Sequence, residues 1–354
     1  MTVKFFWQAQ TSGDGRYADA EKRIRGERAD SRPYFLPGVT DPRGQRFNYF
    51  DHLHQIAKAV ELAKFDGIKV RNDPEGDESW IVAGYLSRAT RYLTVLAEFD
   101  ASRGSAVYAA KNAVSYQRFT EGRFAWQIGV ESDEAKRRQQ GDFAAQADLY
   151  PRVEEFVTVA RNVITTTGYD FDGRFFQVLQ GGFQGPLSGQ KVPPIYLSGE
   201  TDEAYALSAK LADVHVLEAQ PLDEVAKKIS LLRNLASKQG RTLQIGLRVD
   251  VLARETEEEA VFDAKRYAEQ SGQQADDSNT AGLWQGLTTA STGASAALVG
   301  SFEQVTEQLA ALAEAGVEQF ILGAVPSLEE AYCIGENVLP PLRSLINGAS
   351  QRAA

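Results

Sequence analysis

Apolar positions along this chain recur at two spacings. Short apolar runs mark strands at Val3 to Gln8, Ile68 to Val70, Leu93 to Phe99, Phe124 to Gly129, Ile195 to Leu197, Val214 to Leu217, Leu243 to Leu252 and Phe320 to Leu322. Between them the spacing turns helical. Leu53, Ile56, Val60 and Ala63 share one face of a helix over Tyr49 to Lys64, and Val305, Leu309, Leu312 and Ala313 do the same before Gly316 stops that helix. Further helices are predicted over Ala106 to Phe119, closed by Glu121-Gly122, over Tyr150 to Ile164, and over Leu328 to Val338, opened by Pro326-Ser327. Asp77 is placed to cap a helix through Trp80, Ile81 and Leu86. Asp172-Gly173, between Tyr169–Phe171 and Phe175–Val178, signals a hairpin. Eight strand-helix alternations without a linker predict a single (β/α)8 TIM barrel over residues 1–354. In that architecture chemistry gathers in the loops after the strands, the last of which runs from Gly323 to Ser327.

Two stretches break the rhythm. Arg28 to Arg46 is polar, holds three prolines and reads as an insertion loop after the first strand. Gln270 to Ser295 is rich in Ser, Thr, Gly, Gln and Ala, with Leu283 and Trp284 as its only large apolar anchors. Its length suits a mobile lid, and a disordered surface insertion carries nearly equal weight. With 43% hydrophobic residues the chain can bury a large core, and a net charge of −10 argues against nucleic acid and anionic membrane as partners. The single cysteine, Cys333, excludes an internal disulfide and suits a reducing compartment. The apolar run in Met1 to Gln10 contains Lys4 and is too short for a signal peptide, and no stretch reaches the ~20 apolar residues of a membrane helix. The expectation is a soluble cytoplasmic protein.

The predicted strand ends carry an unusual number of acids. Glu98 and Asp100 end strand three, Glu131 ends strand four, Glu200 follows strand five, Glu218 ends strand six and Asp250 lies within strand seven. Six carboxylates around one mouth repel unless protonated, paired with Arg71, Arg103 or Arg248, or bound to a cation. Glu131 and Glu200 precede helices and serve equally well as caps. Asp250 alternates with Ile245, Leu247, Val249 and Val251, which puts it on the Arg248 face and predicts a buried Asp–Arg pair. His52, His54 and His215 read as packing residues, with His215 an outside candidate for chemistry. There is no Walker A motif, no GxGxxG after a strand and no Cys/His zinc spacing, and Gly129-Val130-Glu131-Ser132 lacks the glycine of a nucleophile elbow.

Several segments together resemble the alkanesulfonate monooxygenase branch of the bacterial luciferase-like flavin monooxygenases. They are Phe5-Phe6-Trp7 leading into Thr11 to Gly15, Gln117 to Arg123, Tyr169 to Phe175, Pro193 to Gly199, and Ala297 to Pro340 with Tyr332 inside it. They span nearly the whole chain in the family's order. The resemblance implies the same barrel, reduced FMN as cofactor supplied by a separate NAD(P)H:FMN reductase, O2 as co-substrate, and a homodimer or homotetramer. Residue by residue, it assigns Arg248 and Tyr332 to the active-site layer, Ser198, Gly199 and Thr201 to the turn that holds the flavin phosphate, and Ser132 and Tyr150 to further phosphate contacts. Trp7, Glu98 and Glu218 fall in the substrate pocket.

The reacting end departs from that branch. Ser12 and Asp250 stand where it has histidines, Glu218 where it has a tryptophan, and no lid arginine occurs between Gly282 and Ala297. An anionic sulfonate suits such a mouth poorly, and a neutral or cationic, amine-like substrate suits it better. The leading expectation is a two-component FMNH2-dependent monooxygenase, with Arg248, Tyr332 and Ser12 assisting and Asp250 as base or cation anchor. The alternatives are a non-catalytic flavin-binding or structural subunit of a heteromer, and a barrel whose carboxylates hold a divalent cation.

Overall fold

Which residues of each apolar run face inward decides how this molecule works. The computed structural model describes residues 3–11, 49–74, 76–102, 104–270, 283–285 and 294–352. In chain order the strands are β1 (Lys4–Ala9), β2 (Gly67–Val70), β3 (Thr94–Asp100), β4 (Phe124–Gly129), β5 (Tyr169–Asp172), β6 (Gln177–Gly181), β7 (Ile195–Ser198), β8 (Val214–Glu218), β9 (Gln244–Arg254), β10 (Leu283–Trp284), β11 (Ala297–Ser301) and β12 (Gln319–Gly323). The eight expected strands pair in parallel in the order β1-β2-β3-β4-β7-β8-β9-β12, and β12 returns to β1 with Phe5 opposite Phe320. This is the expected closed (β/α)8 ring.

Alternation sends Phe5, Trp7, Ile68, Val95, Trp126, Leu247 and Phe320 outward, where they meet the helices in the main core. The opposite face fills the ring with Phe6, Leu96, Ala125, Tyr196, Val214, Val216 and Ile321. Gly67 makes room for this plug: a Cβ there would lie 2.3 Å from the Phe6 ring and 2.6 Å from the Thr94 carbonyl oxygen.

The local signals mostly hold. Glu121 at φ 55° and Gly122 at φ 88° close the helix Ala106–Thr120, and Gly316 closes Phe302–Ala315. The helix Ser79–Ala89 is capped by Glu78 rather than Asp77: the Glu78 carboxylate accepts from the Trp80 and Ile81 N–H groups at 2.7 and 3.1 Å. In the β5–β6 hairpin the connection runs over residues 173–176, one residue longer than the expected 172–174. Glu155 holds it, accepting from the N–H groups of Arg174, Phe175 and Phe176 at 2.9, 2.7 and 3.1 Å.

One addition has no counterpart in the expected scheme. β9 runs past the barrel, and its second half pairs with β11, which pairs in turn with β10. Leu283 and Trp284 are thus strand residues, and Trp284 packs with Leu252, Ala260, Ala264 and Tyr267 in a small second core. The insertion at 28–46 and the rest of 270–295, apart from its margins, lie outside the described residues.

Gly67→Ala is expected to overpack the ring against Phe6 and lower the unfolding free energy by about 2–3 kcal/mol in urea titration. A loss below about 0.5 kcal/mol would mean that the ring moves aside freely.

Candidate functional site

One inward step beyond the apolar plug, the barrel interior becomes polar. Gln8 stands beside Lys69, Glu98 beside Gln127, and Glu218 beside Arg248 in the strand registers. Lys69 is wholly buried, and its Nζ lies 3.2 Å from Glu98 Oε2. Gln127 Nε2 donates to Glu98 Oε1 at 3.3 Å and to Ser198 Oγ at 3.2 Å. Arg248 grips Glu218 with two contacts, Nη2–Oε1 at 2.6 Å and Nε–Oε2 at 3.2 Å. Removing an ion from water costs several kcal/mol, so these charges are tolerable only as partners. Burial pushes the Lys69 ammonium down against the pull of Glu98. Burial alone would raise Glu98, but Lys69 and Arg248 outweigh it and hold the carboxyl below its usual range.

The other acids at the mouth are engaged as well. Asp100 accepts from the N–H groups of Ser102 and Glu131 at 2.7 and 3.1 Å, and Glu131 accepts from Asp133 N–H at 2.9 Å, so these two shape a turn. Glu200 takes the Tyr205 hydroxyl at 2.8 Å, the Glu218 N–H at 3.2 Å and the Lys228 ammonium. Arg248 takes Glu218 as its ion-pair partner, and the expected Asp250 acts on it through its charge. The register sets Arg248 against Glu218, while Asp250 stands one step higher, opposite Gly323, where its Oδ1 occupies the space a Cβ at 323 would need. The acidic ring is therefore a set of neutralised or hydrogen-bonded groups. Among the described residues no three His, Cys, Asp or Glu side chains converge as a metal site.

The expected phosphate turn comes together in space. Ser198 ends β7, Gly199 turns at φ +128°, and Thr201 caps the helix Asp202–Leu211 by accepting from Ala204 N–H at 3.2 Å. The Thr201 hydroxyl donates to the Tyr150 hydroxyl at 3.2 Å. A Cβ at Gly199 would lie 2.8 Å from Ala204 Cβ and 3.3 Å from that Tyr150 oxygen, so the turn is a cradle open only to backbone. Ser132 lies apart from these contacts: its carbonyl accepts from buried Arg137 at 3.0 Å.

The closed barrel agrees with what comparison finds. The model of the luciferase-like monooxygenase family matches residues 33–319. The chain belongs to the luciferase-like monooxygenase family. Solved structures with this fold include riboflavin lyase RcaE, crystallised with modified FMN and riboflavin, at 16% identity and TM-score 0.75, covering 97% of this chain and 92% of that one. Long-chain alkane monooxygenase LadA matches at 15% identity and TM-score 0.74, with the same coverage. EDTA monooxygenase EmoA from Chelativorans sp. BNC1 matches at 16% and 0.72, covering 97% and 94%.

Two expected residues of this luciferase-like barrel sit elsewhere. Trp7 faces the helices, where its Nε1–H donates to Ser327 Oγ at 3.0 Å and its ring packs on Phe65; the mouth-facing neighbour on β1 is Gln8. Tyr332 lies on the outer wall, 37% exposed, in a groove with Leu62, Ala63 and Arg343, because Ser327, Glu330, Ala331 and Ile334 take the inward face of its helix. Ser12 and Arg103 lie outside the described residues. Two further residues, Lys69 and Gln127, join the site only through the fold. The alternation that marked Asp250 marks Lys69 too, between Ile68 and Val70, but lysine is so rarely buried that the pattern reads as an exposed edge.

His215 is a packing residue. It faces the helix Asp202–Leu211, with Nδ1 2.7 Å from Ser208 Oγ and its ring against Tyr205. Burial depresses its pKa to about 4. The native state thus holds it neutral, while the unfolded chain binds a proton near pH ~6.5. Its contribution is complete above that value and is lost as pH falls from about 6.5 to about 4, a total of about 3 kcal/mol. His215→Gln is expected to remove that part of the acid sensitivity in urea unfolding across this range. An unchanged pH slope would refute it.

Proposed function

We propose that the chain is the oxygenase of a two-component system that takes reduced FMN from a separate NAD(P)H:FMN reductase and oxidises a small, uncharged organic substrate with O2. The observation that carries this reading is the turn Ser198-Gly199-Glu200-Thr201. Its helix start offers backbone N–H groups that lack intrahelical partners, its glycine admits a close approach, and the hydroxyls of Ser198, Thr201 and Tyr150 surround it. Glu200, the residue that would repel a phosphate, is drawn to Lys228 and Tyr205. The cradle therefore suits a phosphate monoester such as that of FMN. Ser132 and Ser12 belong to the same proposal on resemblance alone.

Reduced FMN, when bound, supplies the electrons and the reaction with O2. The chain's own residues supply binding and charge placement. Arg248, with its charge balanced by Glu218, lends N–H donors to the floor without making it cationic. Asp250, 5% exposed and above that floor, is the group placed to accept a proton or hold a positive substrate group. With Glu98, Glu200 and Glu218 each paired to a cation, the balance favours a neutral substrate over a sulfonate.

Self-association is part of the proposal. The helices Ser79–Ala89 and Ala106–Thr120 flank an outer groove of about 710 Å³ walled by Trp80, Tyr116 and Phe119, and they expose Ile81, Tyr108 and Phe119 at 65%, 66% and 74%. Apolar side chains grouped in this way favour a partner, here a second copy. Phe119→Asp is expected to shift sedimentation from dimer to monomer; a wild-type monomer at micromolar concentration would refute the assembly.

For the cofactor, reduced FMN mixed with the protein is expected to react with O2 on a time course distinct from that of free reduced FMN in stopped flow. An identical time course, with heat on FMN titration, would favour a flavin-binding subunit without activity; no heat would remove both readings. Tyr150→Phe, which deletes one hydroxyl of the turn, is expected to weaken FMN about fivefold, the ~1 kcal/mol of a hydrogen bond.

A further inference from the structure

Among the described residues Lys69 is the one cation wholly buried inside the ring of strands, and neither the family resemblance nor the turn explains it. Its ammonium meets Glu98 Oε2 at 3.2 Å. Glu98 Oε1 meets the Gln127 amide, and the same Gln127 Nε2 reaches Ser198 Oγ. A chain of contacts therefore runs from the barrel floor to the first residue of the turn. Its polarity is fixed at one end. An ionised carboxylate only accepts, so Glu98 draws the NH2 side of Gln127 toward itself. That NH2 also donates to Ser198, and Gln127 Oε1 is left buried without a partner. Leaving an amide oxygen unsatisfied is unfavourable, and the ionised Glu98 is what enforces it. With Ser198 Oγ accepting from Gln127, its own O–H is free to donate toward the turn.

Resting on the phosphate reading of that turn, we propose that Lys69 is a positioning residue for the anion: by keeping Glu98 an acceptor, it sets the Gln127 amide so that the Ser198 hydroxyl points its proton at the flavin phosphate. Without the ammonium, Glu98 takes up a proton or turns away. Gln127 is then free to rotate and present Oε1 to Ser198. The Ser198 proton follows that oxygen, and the anion loses a donor.

The test compares FMN with riboflavin, which differ only in the phosphate, by calorimetry on the full chain. Wild type is expected to prefer FMN. Lys69→Met is expected to weaken FMN about tenfold, the size of one hydrogen bond to a charged group, while leaving riboflavin unchanged. Glu98→Gln keeps the shape and removes the charge, so it is expected to give the same loss and carries the test if Lys69→Met fails to fold by thermal unfolding. In a Ser198→Ala background, Lys69→Met is expected to change the FMN-to-riboflavin ratio no further. If Lys69→Met and Glu98→Gln keep the wild-type ratio, or weaken both flavins equally, the positioning role is refuted and the phosphate turn stands. If wild type itself shows no preference for FMN, the turn reading falls and this proposal falls with it.

Discussion

A charge inside a closed ring of parallel strands has no route to water, so its partner has to come from the ring. That constraint organises the mouth of this barrel. Lys69 finds Glu98 and Arg248 finds Glu218, each across or beside a strand register that places them together. The apolar plug beneath, from Phe6 to Ile321, keeps water from entering below and makes the pairing obligatory. Substituting one member strands the other, which costs more than the pair itself contributes. Such a floor is rigid in its charge pattern, and a rigid polar floor is a suitable base for a ligand site built above it.

The same constraint explains what was legible in the chain and what was not. The eight strands were readable because a strand covered on both faces leaves a short apolar run, and the helices were readable from spacings such as Leu53, Ile56 and Val60. Gly316 and Glu121-Gly122 were readable because a left-handed terminus has few residue choices. β10 and β11 were not. Leu283–Trp284 is too short to show a period, and Ala297–Ser301 runs straight into a helix, so both acquire strand identity only from the overlong β9 beside them. Glu78 took the cap although Asp77 is the better capping type, so local propensity did not decide where this helix starts.

For the site, composition located the acids but not their partners. Asp250 and Arg248 share a face, and sequence proximity made them the natural pair. Register instead brought in Glu218 from the neighbouring strand, a relation thirty positions away in the chain. Trp7 and Tyr332 failed for the opposite reason. Each carries a residue type common at flavin sites, yet one position of strand phase sent Trp7 outward, and the inward stripe of its helix left Tyr332 on the wall. Ser198, Gly199, Thr201 and Tyr150 came together because the first three fall within one four-residue turn and the fourth lies at the start of a helix packed on the next.

Charge balance then shifts the expected chemistry. Counted along the chain, the mouth is strongly acidic and calls for a cationic guest. Counted by pairs, Glu98, Glu200 and Glu218 each carry a cation, while Asp100 and Glu131 hold backbone N–H groups in a turn. Asp250 stands above the polar floor, against Gly323 and within the field of Arg248. A buried carboxylate so placed discriminates by position rather than by long-range attraction, since screening and neighbouring cations confine its reach to the groups that touch it. On the proposed reading, specificity turns on which substrate atom meets Asp250, and the separation between Asp250 and the phosphate turn sets how far along the cofactor that atom lies.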